Sequence, residues 1–492
     1  MPHTSPKSVG PYLYLPIEIA SRELDSRVLL ALVGMSFGME VILGRKRLLH
    51  RNLRHMPKGI VLFKTLTARD AEAMNDANAV GHGTVALDEE VPGLVATQEG
   101  LKWVKEPAVA ASDIILAVGG DHETALRRKF PSQQHKFAVV GNPRWDLLRP
   151  ELRGYYESQA QAIRARHGRF FLINTNFGGL NNVKGSPDRM LKRLQATGRI
   201  DMTKQSDVDF VTATRQLQAA NLAAIKHLVR VLPDRFPEHR FVVRPHPNER
   251  LDTWQEWTRD VPRVSVVRDG SAAAWILAAE ALIHTHCTTG VEAFALEKPA
   301  VSLQAVDAFV SANFVANQVN DLARTVPEVL HILQGWTSLP PGTFRYPDHF
   351  RQAFDRFVVG NEGPFAATRI LEAIRAKFTI ETTAESRGAP SWQPLPGYAP
   401  WTLPKPFHKQ IFPPMTAEQL RGVFKHFQEL LGDSSKITVS SCGDRLFHVH
   451  ASDDRASTGS VRRGRAPLML KAWQLLHYSA GIRGSKNRGM AG

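Results

Sequence analysis

Short apolar runs alternate with longer stretches of helical periodicity from residue 12 onward, the βαβα rhythm of a parallel sheet covered by helices on both faces. A first series predicts strands at 12–19, 39–44, 59–64, 84–90, 113–118 and 136–141. After a polar helical stretch at 150–168, a second series predicts strands at 169–177, 239–247, 263–270, 280–286 and 299–303, with a long helix at about 206–231. The pattern implies an α/β chain of two Rossmann-like domains, 1–150 and 151–385.

The rhythm then breaks. Residues 389–414 carry eight prolines, too many for a helix or a central strand, so 386–415 reads as a linker. The remainder, 416–492, reads as a C-terminal extension, mostly helical and basic. Thr416 and Gln419 offer a capping box for a helix reaching Leu431, and a β-like piece follows at 436–440. Met469, Trp473, Leu476 and Ala480 share one helical face, suited either to docking on the body or to lying on an anionic membrane surface.

Composition narrows the function classes. A chain of 492 residues with 43% hydrophobic and 22% charged residues is expected to be soluble and multidomain. No run of 18 apolar residues predicts a membrane span, and the N-terminus lacks the pattern of an export signal, so a cytoplasmic location is expected. Cys287 and Cys442 provide neither a disulfide framework nor metal-ligand spacing, and no metal or cofactor is expected. Much of the net charge of +15 is concentrated in the acid-free stretch 461–492, which contains Arg462, Arg463, Arg465, Lys471, Arg483, Lys486 and Arg488. No nucleic-acid motif or interleaved aromatic series accompanies it; an anionic substrate or peripheral inner-membrane contact explains the charge more simply.

Ligands of open α/β sheets bind beyond the carboxyl ends of the strands, so candidate chemistry is sought there. FVVRPHPNER (241–250) ends a predicted strand in Arg244, His246 and Pro247; the flanking prolines fix the backbone, and Arg and His suit a phosphate. In HCTTGVEA, Thr288, Thr289 and Gly290 stand where a strand turns into a helix predicted at 291–296, an anion cradle of hydroxyls and N–H groups, with Glu292 placed for ribose hydroxyls. The plainer alternative makes Thr289 an N-cap and Glu292 a dipole-complementing acid. Asn174, Thr175 and Asn176, with Gly178 and Gly179, offer further polar groups at another strand end. In the first domain Glu18 follows the first strand, and the guanidinium of Arg22 suits a carboxylate. Ser21 offers a cap there, with Glu23 and Asp25 as dipole partners. Arg144 is placed to reach the cleft, whereas Asp146 reads as structural.

The pair RPHP and HCTTGVEA resembles the His-Pro and Ser/Thr motifs of GT-B glycosyltransferases that use CMP-activated acidic sugars, the β-Kdo transferases and bacterial sialyl- and polysialyltransferases. YLYLPIEIASRELDSRVLLAL, VILGRK, VALDEE, VVGNPRWDLLRPEL and FLINTNFG together resemble bacterial surface-carbohydrate biosynthesis proteins of that group, over about residues 12–380. The resemblance implies a GT-B-like fold, two Rossmann-like domains facing a central cleft. It implies transfer of Kdo or a related ulosonic acid from a CMP-linked donor to a glycan or glycolipid acceptor. It places the catalytic carboxylate among Asp88, Glu89 and Glu90, although Val91 stands where the family motif has glycine, with Glu18 as a second acid. A glycerophosphotransferase using CDP-glycerol, a sugar-nucleotide 2-epimerase and a non-catalytic nucleotide-sugar-binding scaffold remain open alternatives.

Overall fold

The computed structural model describes residues 6–88, 101, 103–196, 198, 200–311, 314–381 and 411–452. Its strands in chain order are β1 (Lys7–Val9), β2 (Tyr12–Ile17), β3 (Glu40–Arg45), β4 (Gly59–Phe63), β5 (Gly83–Leu87), β6 (Ile114–Ala117), β7 (Phe137–Val139) and β8 (Phe170–Asn174). They continue as β9 (Arg240–Arg244), β10 (Val264–Val266), β11 (Ala281–His284), β12 (Ala300–Leu303), β13 (Asp321–Ala323), β14 (Phe378–Ile380), β15 (Ile437–Gly443) and β16 (Leu446–Ala451).

Two large sheets result, the second all parallel and the first parallel from β3 to β7. The first has the order β15-β16-β3-β2-β4-β5-β6-β7 and the second β10-β9-β8-β11-β12-β13, so each contains a point where the winding direction reverses. In the first sheet that point is between β2 and β4, and in the second between β8 and β11. Every residue of β2, β4 and β5 is buried, because helices cover both faces. Helix Ala20–Ser36 supplies Val28, Leu29 and Val33 to one of those layers. In the second sheet, Phe171, Ile173, Phe241 and Val243 pack with Leu228 and Leu232 of the long helix Gln205–Arg235.

The chain crosses between the sheets near residues 143–156 and returns at its other end. Asp146 accepts hydrogen bonds from the N–H groups of Ala366 (2.8 Å) and Ala367 (3.0 Å), capping helix Ala366–Lys377. β14 then pairs in parallel with β1, tying residues 378–380 to residues 7–9. Neither three-residue strand was predicted, since such lengths carry no measurable alternation.

The segment after residue 411 differs from its sequence expectation. The capping box of Thr416 and Gln419 is present and opens helix Ala417–Leu431. The β-like piece expected at 436–440 is half of a hairpin whose second strand, β16, pairs antiparallel with β3 and extends the first sheet. The junction depends on Gly44: a Cβ there would lie 2.2 Å from the Arg445 carbonyl oxygen. Among the described residues no helix is long and apolar enough to cross a membrane. Glu89, Glu90, the proline-rich stretch 382–410 and the tail containing Met469 and Trp473 lie outside the described residues.

Candidate active site in the interdomain cleft

The two reversal points set the site, because there the loops leaving adjacent strands diverge and open a crevice. β8, β9 and β11 end at Asn174, Arg244 and His284. From these ends, Asn174, Arg244, His246, Pro247, Thr288 and Thr289 line one interdomain cavity. Arg22 and Arg144 line it from the opposite side, and Glu292 also borders it. Asn176, Gly290, Glu18 and Asp88 do not line that cavity.

Arg244 donates from Nη2 to the Gly270 carbonyl at 2.7 Å, but its Nε is buried without a hydrogen-bond partner. Among the described residues it makes no ion pair, and burial pulls its pKa below the usual arginine value while nearby Glu292 opposes the shift. Beside it, Asn174 is 3% exposed, and both polar atoms of its amide are buried without partners. Buried polar groups are rarely left this way, and two of them converge on one cavity.

The loop carrying His246 is fixed by a residue the sequence reading did not single out. Glu249 is fully buried and accepts from the His246 N–H (3.1 Å), the Thr175 hydroxyl (2.7 Å) and the Trp254 indole (2.9 Å). It thereby joins the loops that follow β8 and β9. His246 Nδ1 accepts from the Asn248 N–H at 3.1 Å, so a neutral ring carries its proton on Nε2.

Past β11 the chain turns sharply. His286 adopts φ +88 and stacks on Phe314 with ring centroids 4.4 Å apart, and burial lowers its pKa to about 4. Helix Thr288–Ala295 begins immediately afterward with Cys287 at the N-cap, so Thr289 lies in the first turn rather than capping it. Gly290 serves the fold instead of a ligand: a Cβ would lie 2.4 Å from His284 Nε2. Glu292 is not open to solvent; Arg144 Nη2 donates to its Oε1 at 2.8 Å.

At the reversal point of the first sheet, Lys64 follows β4, is 3% exposed, and bridges Glu23 Oε1 (2.7 Å) and Glu18 Oε2 (3.0 Å). Glu23 Oε2 also accepts the Glu18 N–H at 2.7 Å. Glu23, read from the sequence as a dipole partner, is thus a buried partner of Lys64, and the N-cap of its helix is Ile19 rather than Ser21. Asp88 is 5% exposed at the end of β5. Asp25 lines the cleft, held by the hydroxyls of Tyr155 (3.0 Å) and Tyr156 (3.3 Å). Its spacing from Arg22, three residues on a helix, was the signal that both share one face.

No family model matches the chain, and no curated protein matches it. Among solved structures, UDP-GlcNAc 2-epimerase from Methanocaldococcus jannaschii, in complex with UDP-GlcNAc and UDP, is similar at 12% identity and a TM-score of 0.46. That match covers 74% of this chain and 99% of the epimerase chain. UDP-GlcNAc 2-epimerase from Neisseria meningitidis bound to UDP-GlcNAc is similar at 13% identity and a TM-score of 0.44, covering 74% and 99%. The wall teichoic acid polymerase TagF is similar at 10% identity and a TM-score of 0.45, covering 76% and 89%.

Proposed function

We propose that this chain is a glycosyltransferase that moves an acidic sugar, Kdo or a related ulosonic acid, from a CMP-linked donor to a surface-glycan acceptor. The observation that carries the proposal is the pair of unsatisfied groups at the second reversal point, the Arg244 Nε and the Asn174 amide, both at the cavity that the first turn of helix Thr288–Ala295 borders. A largely buried guanidinium with no direct ion pair among the described residues suits an anion, and a helix N-terminus adds N–H groups to the same task. Arg22 on the facing wall is a second cation for a donor that carries a carboxylate as well as a phosphate. The order of the His-Pro and Thr-Thr-Gly-Val-Glu motifs supports the CMP-sugar class.

In this reading, Arg244, Asn174 and the Thr288–Thr289 turn hold the donor phosphate, and His246 Nε2–H donates to the departing phosphate oxygen. The protein itself meets the phosphate charge, and no cofactor is called for. Glu292 holds the ribose once it leaves Arg144. The cavity of about 130 Å³ opens to solvent and is smaller than the roughly 300–1,000 Å³ of small-molecule sites, so in this reading the facing walls stand further apart when donor is bound. The resemblance assigns proton transfer to one of Asp88, Glu89 and Glu90, or to Glu18. The test is CMP release from CMP-Kdo, followed by NMR, with wild type and Arg244→Ala. Release by wild type and its loss in the variant are expected; no release by wild type contradicts the reading.

A further inference from the structure

We propose that Asp25 is the cleft carboxylate that accepts the proton of the acceptor hydroxyl. The proposal rests on the glycosyl-transfer reading above and concerns a residue that is not among the acids the resemblance assigns. In the structure Asp25 lines the same cavity as Arg244, His246 and Glu292. Of the acids expected at the strand ends, the two among the described residues do not: Glu18 pairs with Lys64, and Asp88 is buried at the end of β5.

The setting orients the carboxylate without neutralising it. Tyr155 donates to Oδ1 and Tyr156 to Oδ2, which leaves each oxygen with accepting capacity toward the cavity. Tyr155 is braced in turn by helix Ala417–Leu431: Phe427 stacks on it with centroids 4.4 Å apart, and His426 lies 4.9 Å away. The charged and titratable groups around Asp25 are therefore Tyr155 and Tyr156 from the crossover, His426 from the C-terminal helix, Arg22 on its own helix, and the Arg144–Glu292 pair across the cavity. Burial raises the Asp25 pKa from 3.8 to about 6, against the lowering effect of both tyrosine hydroxyls. A carboxyl group poised there is ionised at neutral pH yet basic enough to take a proton.

The step balances without a further reactant. The acceptor oxygen forms a bond to the anomeric carbon while the bond from that carbon to the phosphate oxygen breaks. Its electron pair leaves on CMP, and the acceptor proton moves to an Asp25 oxygen, from which it returns to solvent. With water as acceptor the same step is donor hydrolysis, so the probe is CMP-Kdo alone.

The experiment measures CMP release from CMP-Kdo against pH for wild type, Asp25→Asn and Tyr155→Phe, with CMP binding followed by calorimetry. Wild-type rate is expected to rise through an apparent pKa near 6. Asp25→Asn should lose about 100-fold or more in rate while CMP binding stays within twofold. Tyr155→Phe removes a donor that favours the ionised carboxylate, so its rising limb should move to higher pH, a shift that a purely structural role would not produce. An active wild type whose limb is unchanged in Tyr155→Phe, or whose rate survives in Asp25→Asn, overturns the role of Asp25. A wild type that neither binds CMP nor releases it overturns the glycosyl-transfer reading, and this inference with it.

Discussion

Arg144 and Glu292 face each other across the cleft, with Nη2 2.8 Å from Oε1 and both side chains largely buried. Arg144 follows β7 of the first sheet, and Glu292 lies in the helix that follows β11 of the second. One ion pair therefore joins the two halves beside the groups proposed to hold the donor.

If Glu292 takes the ribose, the ligand must first displace Arg144. Arg144→Met removes that competition, and CMP is expected to bind about two- to tenfold more tightly than to wild type, a free-energy difference of about 0.4–1.4 kcal/mol. Glu292→Ala should weaken CMP binding instead. Calorimetry on both variants checks the pair; tighter binding in Glu292→Ala would contradict the ribose role.

Glu249 offers a different kind of lesion, because its carboxylate accepts from donors on the loops after β8 and β9 and from the Trp254 indole. Glu249→Gln turns an acceptor into a donor against at least one of them. A loss of about 2–4 kcal/mol in urea unfolding is expected, the scale of leaving buried hydrogen-bonding groups unpaired. CMP affinity should fall at the same time, since His246 loses its anchor. Wild-type stability in this variant would contradict the hub.

Asp146 is buried and caps helix Ala366–Lys377, and burial raises its pKa from 3.8 to about 6 despite the two N–H groups it accepts. A folded-state pKa above the unfolded value means that the group's titration contributes stability fully below the unfolded value, and that this contribution is lost as pH rises through about 6. Asp146→Ala should therefore destabilise at every pH, through the orphaned cap, but more at pH 4 than at pH 7. Thermal melts at the two pH values test the sign.

Truncation after residue 381 removes β16, which covers the β3 edge, together with the buried Phe424, Phe427, Phe447 and Val449. An exposed parallel edge and an uncovered apolar face favour aggregation. The truncated chain is expected to be insoluble or to melt at least about 5 °C lower, a shift of roughly 1 kcal/mol or more. Unchanged melting would show that the hairpin contributes little.

The sequence carried the sheets where strands were uniformly apolar: β2, β4, β8 and β11 sit within two residues of the predicted starts. It missed β13, β14 and β16, which are either too short for periodicity or, as in LFHVHA, interrupted by histidines that only pairing with β3 makes sense of. The residues that line the cavity from the second sheet were legible because strand ends announce themselves in composition, Arg-Pro-His-Pro after one strand and Thr-Thr after another. Lys64, Glu249 and the Asp25–tyrosine cluster were not, since their roles depend on partners 41, 74 and 130 positions away in the chain. Gly290 shows the converse: its place in a motif suggested ligand approach, whereas the His284 ring behind it requires the glycine.

The most direct measurement is calorimetric titration of the full chain with CMP, CDP and UDP, repeated on Arg244→Ala and His246→Ala after circular dichroism confirms their folds. CMP is expected to bind in preference to the other two, with binding lost in Arg244→Ala and weakened in His246→Ala. Tight binding of UDP with none of CMP, or CMP binding that Arg244→Ala leaves intact, would contradict the account.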